Sequence, residues 1–454
     1  MNYTNMYSAI VKLLNESNAT EYSYNSEMAN AIQLWSKMYE NKAPWIKGYT
    51  KSANLPSAIA YETAKLVTLE LKSEITGSAT ADYINKFYKD VLNKLRKFTE
   101  YGLAKGSLII KPIVDENGVK TQFIQADRFF PVNFDASGNL TKCVLADQIR
   151  KGRYIYTLLE IHTLSGDILT IENRVFKSEN DGLLGSEVSA KEVEDWAKLP
   201  LKGVFRGAKH LPFGLFKCPM ANQIDSDSPL GVSVYSRAVE LIEEADKRYT
   251  SICWEFEATE TAVHISTAML KYDKARDKWK YPAGKERLYR EVDYSTGAND
   301  KPFIDTFSPP IREAELYSGW NNQLRMIEFA CSLAYGTLSD PQNVDKTATE
   351  VNASKQRSYT FISDTQKALQ TALEQWVEAV WFWSQIHHLV PNGEYKAEFE
   401  WGDSIISNPS EERKQDMQDV AIGALNLWEY RAKWYGEDEA TAKAMLSQPA
   451  QVIE

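Results

Sequence analysis

Histidine and cysteine are scarce in this chain: five His and four Cys in 454 residues. The cysteines, Cys143, Cys218, Cys253 and Cys331, lie far apart and show no CxxC spacing. They are expected to be buried free thiols in a reducing cytoplasm, not a disulfide frame or a zinc site. No run of about 18 apolar residues occurs, so no membrane helix is expected. Residues 1–30 mix polar and acidic side chains without a basic region followed by an apolar stretch, so no secretory signal is expected. A phosphate loop of the form Gly-x4-Gly-Lys-Ser/Thr is missing, and with it a nucleotide motor. So are the HExxH and GxSxG motifs. His387 and His388 are adjacent and would point to different helix faces, which suits a solvated helix end better than a metal site. His162, in the alternating stretch Glu160-Ile161-His162, is expected to be packed or hydrogen-bonded, with no third ligand in view. Asp403 and Asp416 show no recognisable partner. No catalytic residue, metal site or cofactor is expected.

Positive charge is also short, with 52 Lys and Arg against 62 Asp and Glu, for a net charge of −10. Such a chain is poorly suited to gripping DNA by neutralising phosphates. What is plentiful is aromatic: 12 Trp and 24 Tyr, enough for large cores and large subunit interfaces. A hydrophobic share of 43% and a length of 454 residues give core for two or three domains. No repeat or low-complexity segment interrupts it.

Helical periodicity opens the chain. Met28 to Tyr39 sets Ile32, Trp35 and Tyr39 on one face, Ser57 to Glu74 continues the pattern, and Ala81 to Leu103 aligns Ile84, Phe87, Val91, Leu95 and Phe98. From Gly106 to about Phe176, short β-rich runs follow, broken by turns. Leu108–Val114 and Val119–Gln125 flank Asp115-Glu116-Asn117-Gly118, a hairpin signal. Helices followed by antiparallel strands predict an α+β fold. Lys177 to Leu211 is less legible. Ser228 to about Thr261 is expected to be helical, with Ser228 as cap and Pro229 in the first turn. A charged insert, His264 to Ser308, separates it from a second helix. In that helix Ala314, Tyr317, Trp320, Leu324, Ile327, Cys331 and Ala334 form a seam that Gly336 ends. Thr337 to Lys346 is predicted to be an exposed loop. Thr347 and Glu350 have capping-box spacing and start a helix of roughly 40 residues, about 60 Å at about 1.5 Å per residue. A strand near Tyr395–Trp401 and two helices, about Glu411–Trp428 and Glu437–Ser447, complete the tail.

This order of elements resembles that of the portal proteins of tailed bacteriophages, in particular siphophages of Gram-positive hosts. Lys346-Thr347-Ala348-Thr349-Glu350-Val351 is similar to that family's signature after its tunnel loop. Asp225 to Tyr235, then Glu243-Glu244-Ala245-Asp246 and Glu255-Phe256-Glu257, is similar to its segment entering the stem. Ile311-Arg312 with Leu324 and Ile327-Glu328 resembles the returning stem, and Ile32 to Tyr39 with Glu62 to Val67 resembles the start. Glu70 follows Thr68-Leu69, where the family often carries Asn beside the acid. The resemblance implies a wing over 1–227, a helix into the stem over 228–263, and a small α/β clip over 264–309. It further implies a returning stem helix over 310–336, a tunnel loop over 337–346, a long wing helix over 347–390 and a C-terminal wing with a short helical crown over 391–454. It implies a ring, typically a dodecamer, at one capsid vertex of the virion, made in the host cytoplasm and passing double-stranded DNA. The implied partners are the terminase large subunit, the head–tail adaptor, and the major capsid and scaffolding proteins, with no membrane.

Charge placement adds to this. From Lys271 to Glu291 eight basic residues (Lys271, Lys274, Arg276, Lys278, Lys280, Lys285, Arg287 and Arg290) stand against four acidic ones. Repeated around a ring they would form a basic collar for DNA, terminase or adaptor. Glu243, Glu244, Asp246, Glu255 and Glu257 make the stem acidic, suited to keeping phosphates off a wall. Asp340, Gln342, Asn343, Asp345 and Lys346 are the expected constriction. Another phage head or connector protein, an elongated cytoplasmic scaffold and an enzyme of unrecognised type remain alternatives.

Overall fold

A computed structural model of the chain describes residues 3–16, 26–115, 118–266, 271–273, 278–280, 288–292, 304–340, 348–402 and 409–446. Helices α1 (Tyr3–Glu16), α2 (Ser26–Tyr39), α3 (Leu55–Thr68) and α4 (Ala79–Lys105) come first, with strand β1 (Lys72–Gly77) before α4. Ser78 starts α4 by accepting a hydrogen bond from Thr80 N, and Gly106 ends it at φ +91°. Strands β2 (Ser107–Asp115) and β3 (Gly118–Gln125) then form the hairpin that the turn residues predict, with Asp115 opposite Gly118.

An antiparallel sheet follows, built from β4 (Phe129–Phe134), β5 (Leu140–Lys151), β6 (Tyr154–Ser165), β7 (Ile168–Ser178) and β8 (Ser186–Val188), with β9 (Lys202–Arg206) also on β7. The poorly legible stretch between Lys177 and Leu211 supplies Val193 and Trp196 to a small core with Tyr156, Leu158 and Val175. Strand β10 (Gly214–Lys217) returns to pair with β2.

Helix α5 (Val239–Ala258) leads to an insert of strands β11 (Ala262–Ser266), β12 (Lys271–Asp273), β13 (Lys278–Lys280), β14 (Tyr289–Val292) and β15 (Ile304–Phe307). Helix α6 (Glu313–Ala330) returns from it, and α7 (Ala348–Ile386) runs for 39 residues. The tail holds β16 (Tyr395–Glu400), α8 (Pro409–Ala421), α9 (Leu427–Tyr435) and α10 (Glu439–Leu446). Mixed helices and antiparallel sheets make the fold α+β.

Helix α7 is the spine of the core. Phe361, Ile362, Leu369, Leu373, Trp376 and Val380 are buried along one stripe at helical spacing. They face α3, α4, β2 and β10. The β10 backbone lies flush on the helix: a Cβ at Gly214 would stand 1.9 Å from Ala372 O. Tyr88 of α4 meets Trp376 with ring centroids 5.7 Å apart.

Several boundaries differ from those read in the sequence. The helix expected over Ser57–Glu74 stops at Thr68, because Lys72–Gly77 pairs as a strand with Tyr395–Glu400, a partner that local periodicity cannot show. Ser228 does not cap a helix. Residues 228–235 run as buried, non-helical chain, with Val234 N bonded to Leu103 O at 2.9 Å, and α5 begins only at Val239. Helix α6 ends at Ala330 rather than at Gly336. Ser332 takes a left-handed φ of 57°, and Leu333 N bonds back to Glu328 O at 2.9 Å. The helix expected over Glu411–Trp428 is two, split before Asn426, whose capping box with Glu429 starts α9 afresh. Asp416 does have partners, Lys433 Nζ and Trp434 Nε1, each at 2.7 Å. Cys143, Cys218 and Cys331 are buried and their thiols pushed up by that burial, but Cys253 is half-buried.

Candidate functional site

Helices α5 and α6 form an antiparallel hairpin whose tip is the strand insert. Gln323 Nε2 donates to Leu241 O at 3.0 Å, and Trp320 Nε1 to Ala245 O at 3.3 Å. Further along, Tyr249 meets Trp320 with centroids 5.8 Å apart. At the base of the tip, Arg312 grips Glu255 with Nε at 3.0 Å and Nη2 at 2.7 Å. This guanidinium holds Glu255 below the usual carboxylate range. Much apolar surface on the hairpin faces solvent: Trp254 is 64% exposed and Phe329 59%, with Tyr317, Met326 and Phe256 also exposed.

The five acidic residues singled out in this hairpin divide by role. Asp246 is buried and accepts from Trp45 Nε1 and Ala53 N, each at 2.9 Å, so its charge is spent on holding residues 45–53 against α5. Glu255 is engaged by Arg312. Glu257 pairs with Lys51 at 2.8 Å. Glu243 and Glu244 share Lys247, at 3.0 and 2.8 Å, on the outer face. Lys247 holds Glu244 below the usual carboxylate range. An acidic stem that repels phosphates where it faces a bore is the expectation; of its five acids Asp246, Glu255 and Glu257 are met by groups from other parts of the chain, while Glu243 and Glu244 share one lysine.

In the insert, β11 lies between β14, which is parallel to it, and β15, which is antiparallel. Strands β12 and β13 form a separate hairpin in which Lys271 is opposite Lys280 and Asp273 opposite Lys278. Arg290 is exposed on β14, its guanidinium 5.9 Å from the Phe307 ring centre. Lys274, Arg276, Lys285 and Arg287 lie outside the described residues.

The segment after α6 is tied down where an exposed loop was expected. Glu328 is fully buried, and Ser339 nearly so. Glu328 Oε1 accepts from Leu338 N at 2.6 Å and Ser339 N at 2.8 Å. Asp340 itself is exposed, but its N–H donates to Asn321 Oδ1 at 2.7 Å. Gln342, Asn343, Asp345, Lys346 and Thr347 lie outside the described residues, as does the side chain of Glu350.

His162, the one histidine weighed as a ligand or base, is buried, with Nε2 against Glu160 Oε1. Burial holds its pKa below the usual value, so near neutrality it is an uncharged donor. Glu160 also binds Lys111 Nζ, through Oε2 at 2.6 Å. Burial works against its charge, yet Lys111 and His162 hold Glu160 well below the usual carboxylate range. His387 and His388 are exposed at the end of α7. No group of His, Cys, Asp and Glu suited to a metal occurs among the described residues, and no described helix is long and apolar enough to cross a membrane.

Sequence reasoning missed Glu328 and Asn321. Each follows a seam residue of α6, Trp320 or Ile327, but Ser318 follows Tyr317 in the same way and is exposed, so the local pattern does not single them out. A family model described as "Phage portal protein, SPP1 Gp6-like" matches residues 25–441. No curated protein matches the chain.

Proposed function

From the premise that this chain belongs to the phage portal protein family, we propose that it assembles as a ring, typically of twelve copies, at one vertex of the capsid. There it is a structural conduit through which double-stranded DNA enters during packaging and leaves on ejection. The observation that carries the reading is the α5–α6 hairpin with its strand-built tip, followed directly by the long α7. In this assignment the hairpin is the stem, the insert the clip, residues 337–346 the tunnel loop, α7 the long wing helix, and 391–454 the C-terminal wing and crown. Residues 1–227 are the wing.

Apolar side chains left exposed on the stem suit a neighbouring copy, since heterologous contacts that close give a ring. Twelve copies of the basic clip would make a positive collar that docks the terminase large subunit and later the head–tail adaptor. The major capsid and scaffolding proteins are its other partners at the vertex. Glu243 and Glu244, two acids that share the single Lys247, would discourage firm phosphate contacts where DNA must slide. The chain carries no nucleotide-binding loop, so the driving force comes from the terminase.

Negative-stain microscopy of the purified protein should show rings with a central hole wide enough for duplex DNA. Persistent monomers at high concentration, with scaffold protein supplied, would contradict the assignment. The constriction is tested separately. Deleting residues 341–346 should leave rings intact while packaging stalls or packaged DNA leaks. Normal DNA content in such virions would remove Gln342, Asn343, Asp345 and Lys346 from the channel.

A further inference from the structure

Glu328 lies near the end of α6, but its side chain serves the segment that follows. Its Oε1 accepts from three backbone amides: Gly336 at 3.1 Å, Leu338 at 2.6 Å and Ser339 at 2.8 Å. Its Oε2 accepts from the Ser339 hydroxyl at 2.8 Å. A carboxylate has about four lone-pair sites, and all four contacts here are with donors. A buried acid without such partners would be costly to keep. Seven residues earlier, on the same face of α6, Asn321 Oδ1 takes Asp340 N at 2.7 Å.

The long helix reaches the same place from the other side. Arg357 Nη2 donates to Leu333 O at 3.4 Å. Its guanidinium lies 4.6 Å from the Phe329 ring centre and 5.2 Å from that of Tyr335. Residues 328–340 are therefore fixed to α6 and clasped by α7.

We propose that Glu328 is the positioning residue of the tunnel loop. It fastens the backbone of residues 336–339 to α6, Asn321 extends the hold to Asp340, and Arg357 joins this base to α7. Residues 336–340, the described base of the loop, are thereby carried on α6. Residues 337–340 belong to the fixed base and not to the constriction. The inference rests on the portal reading for its function, but the lock itself can be measured without it.

Hydrogen exchange on the full chain reads the amides of Gly336, Leu338 and Ser339. Glu328→Ala should speed their exchange roughly tenfold or more, the factor that goes with losing a hydrogen bond to a charged acceptor. Glu328→Gln keeps an oxygen where the three amides converge and should retain most of the protection. Ser339→Ala removes the contact to Oε2 and the second acceptor of the Gly336 amide, which Ser339 Oγ provides at 3.2 Å, and Asn321→Ala removes the hold on Asp340. Both should give smaller, local increases, and they decide the matter if Glu328→Ala does not fold. In virions, variants that loosen the amides should assemble rings in normal yield but package or retain less DNA. Unchanged exchange in the variants overturns the lock. Faster exchange with normal DNA content overturns the positioning role. A wild-type chain that forms no ring would overturn the portal reading instead, and exchange would still decide the lock.

Discussion

Gly231→Ala is expected to leave no folded protein under conditions where the wild type is stable. Three stretches of backbone cross at this glycine. A Cβ there would lie 2.2 Å from Gly106 O, 2.7 Å from Cys218 N and 3.2 Å from Lys217 Cα. None of these is the tip of a side chain that can swing aside. Gly106 is no freer, since at φ +91° its own Cβ would meet Gly231 O at 2.6 Å. Cys218 N donates to Gly106 O at 3.0 Å, so opening the crossing also breaks the link between α4 and β10. The cost should exceed about 4 kcal/mol, beyond the ordinary range for one substitution. Gly152→Ala is the control. It has a left-handed φ of +60° but no atom within 4 Å of the added methyl, so about 1 kcal/mol is expected. Circular dichroism reports whether the Gly231→Ala chain folds at all, and urea unfolding of Gly152→Ala measures strain without collision. A Gly231→Ala chain with a wild-type midpoint would mean that the three segments do not meet as described.

Glu160→Ala should cost about 3–5 kcal/mol, the range for removing one member of a buried ion pair. It leaves Lys111, largely buried, without its counter-charge, and His162 Nε2 without its partner. Glu160 and His162 also predict how the sheet responds to acid, and both act in the same direction. The folded-state pKa of Glu160 is depressed, so its contribution is complete above the unfolded carboxyl value of about 4.3 and is lost as pH falls below it. His162 is held neutral by burial, its pKa also depressed. Its contribution is complete above the unfolded value of about 6.5 and falls as acid favours the protonated, unfolded form. Urea midpoints should therefore drop in two stages as pH falls, the first setting in below about 6.5 and the second below about 4.3. His162→Gln should remove the first stage. A midpoint unchanged between pH 7 and 5 in the wild type would contradict a neutral, buried His162.

Much of this architecture is written locally. The hairpin of β2 and β3 follows from Asp115 and Gly118 around its turn, and the extent of α7 follows from an unbroken stripe ending near Trp383. The sequence of helix, insert, helix, loop and long helix was legible for the same reason: each element carries its own period or breakers. What stayed hidden depends on distant chain. Lys72–Gly77 looks like the end of a helix until β16 is placed beside it. Ser228-Pro229 has every local mark of a helix start, and the close crossing at Gly231 overrides them. Charge was the least transparent property. Asp246, Glu255 and Glu257 look like a negative stripe on α5, yet Trp45, Arg312 and Lys51 come from other parts of the chain to meet them. Glu328 was read as part of a stem motif, when its side chain belongs to the loop base.

The pairing of β1 with β16 has a consequence for synthesis. Lys72 bonds opposite Glu400, so β1 leaves the ribosome with its partner still roughly 320 residues from being made. At about 5–20 residues per second that interval is on the order of tens of seconds. During this time Ile75, buried in the finished protein, and the unpaired edge around it stand open to neighbouring nascent chains. Slower elongation or crowded polysomes should therefore cost yield through aggregation of incomplete chains, and a chain truncated before Tyr395 would carry that open edge permanently.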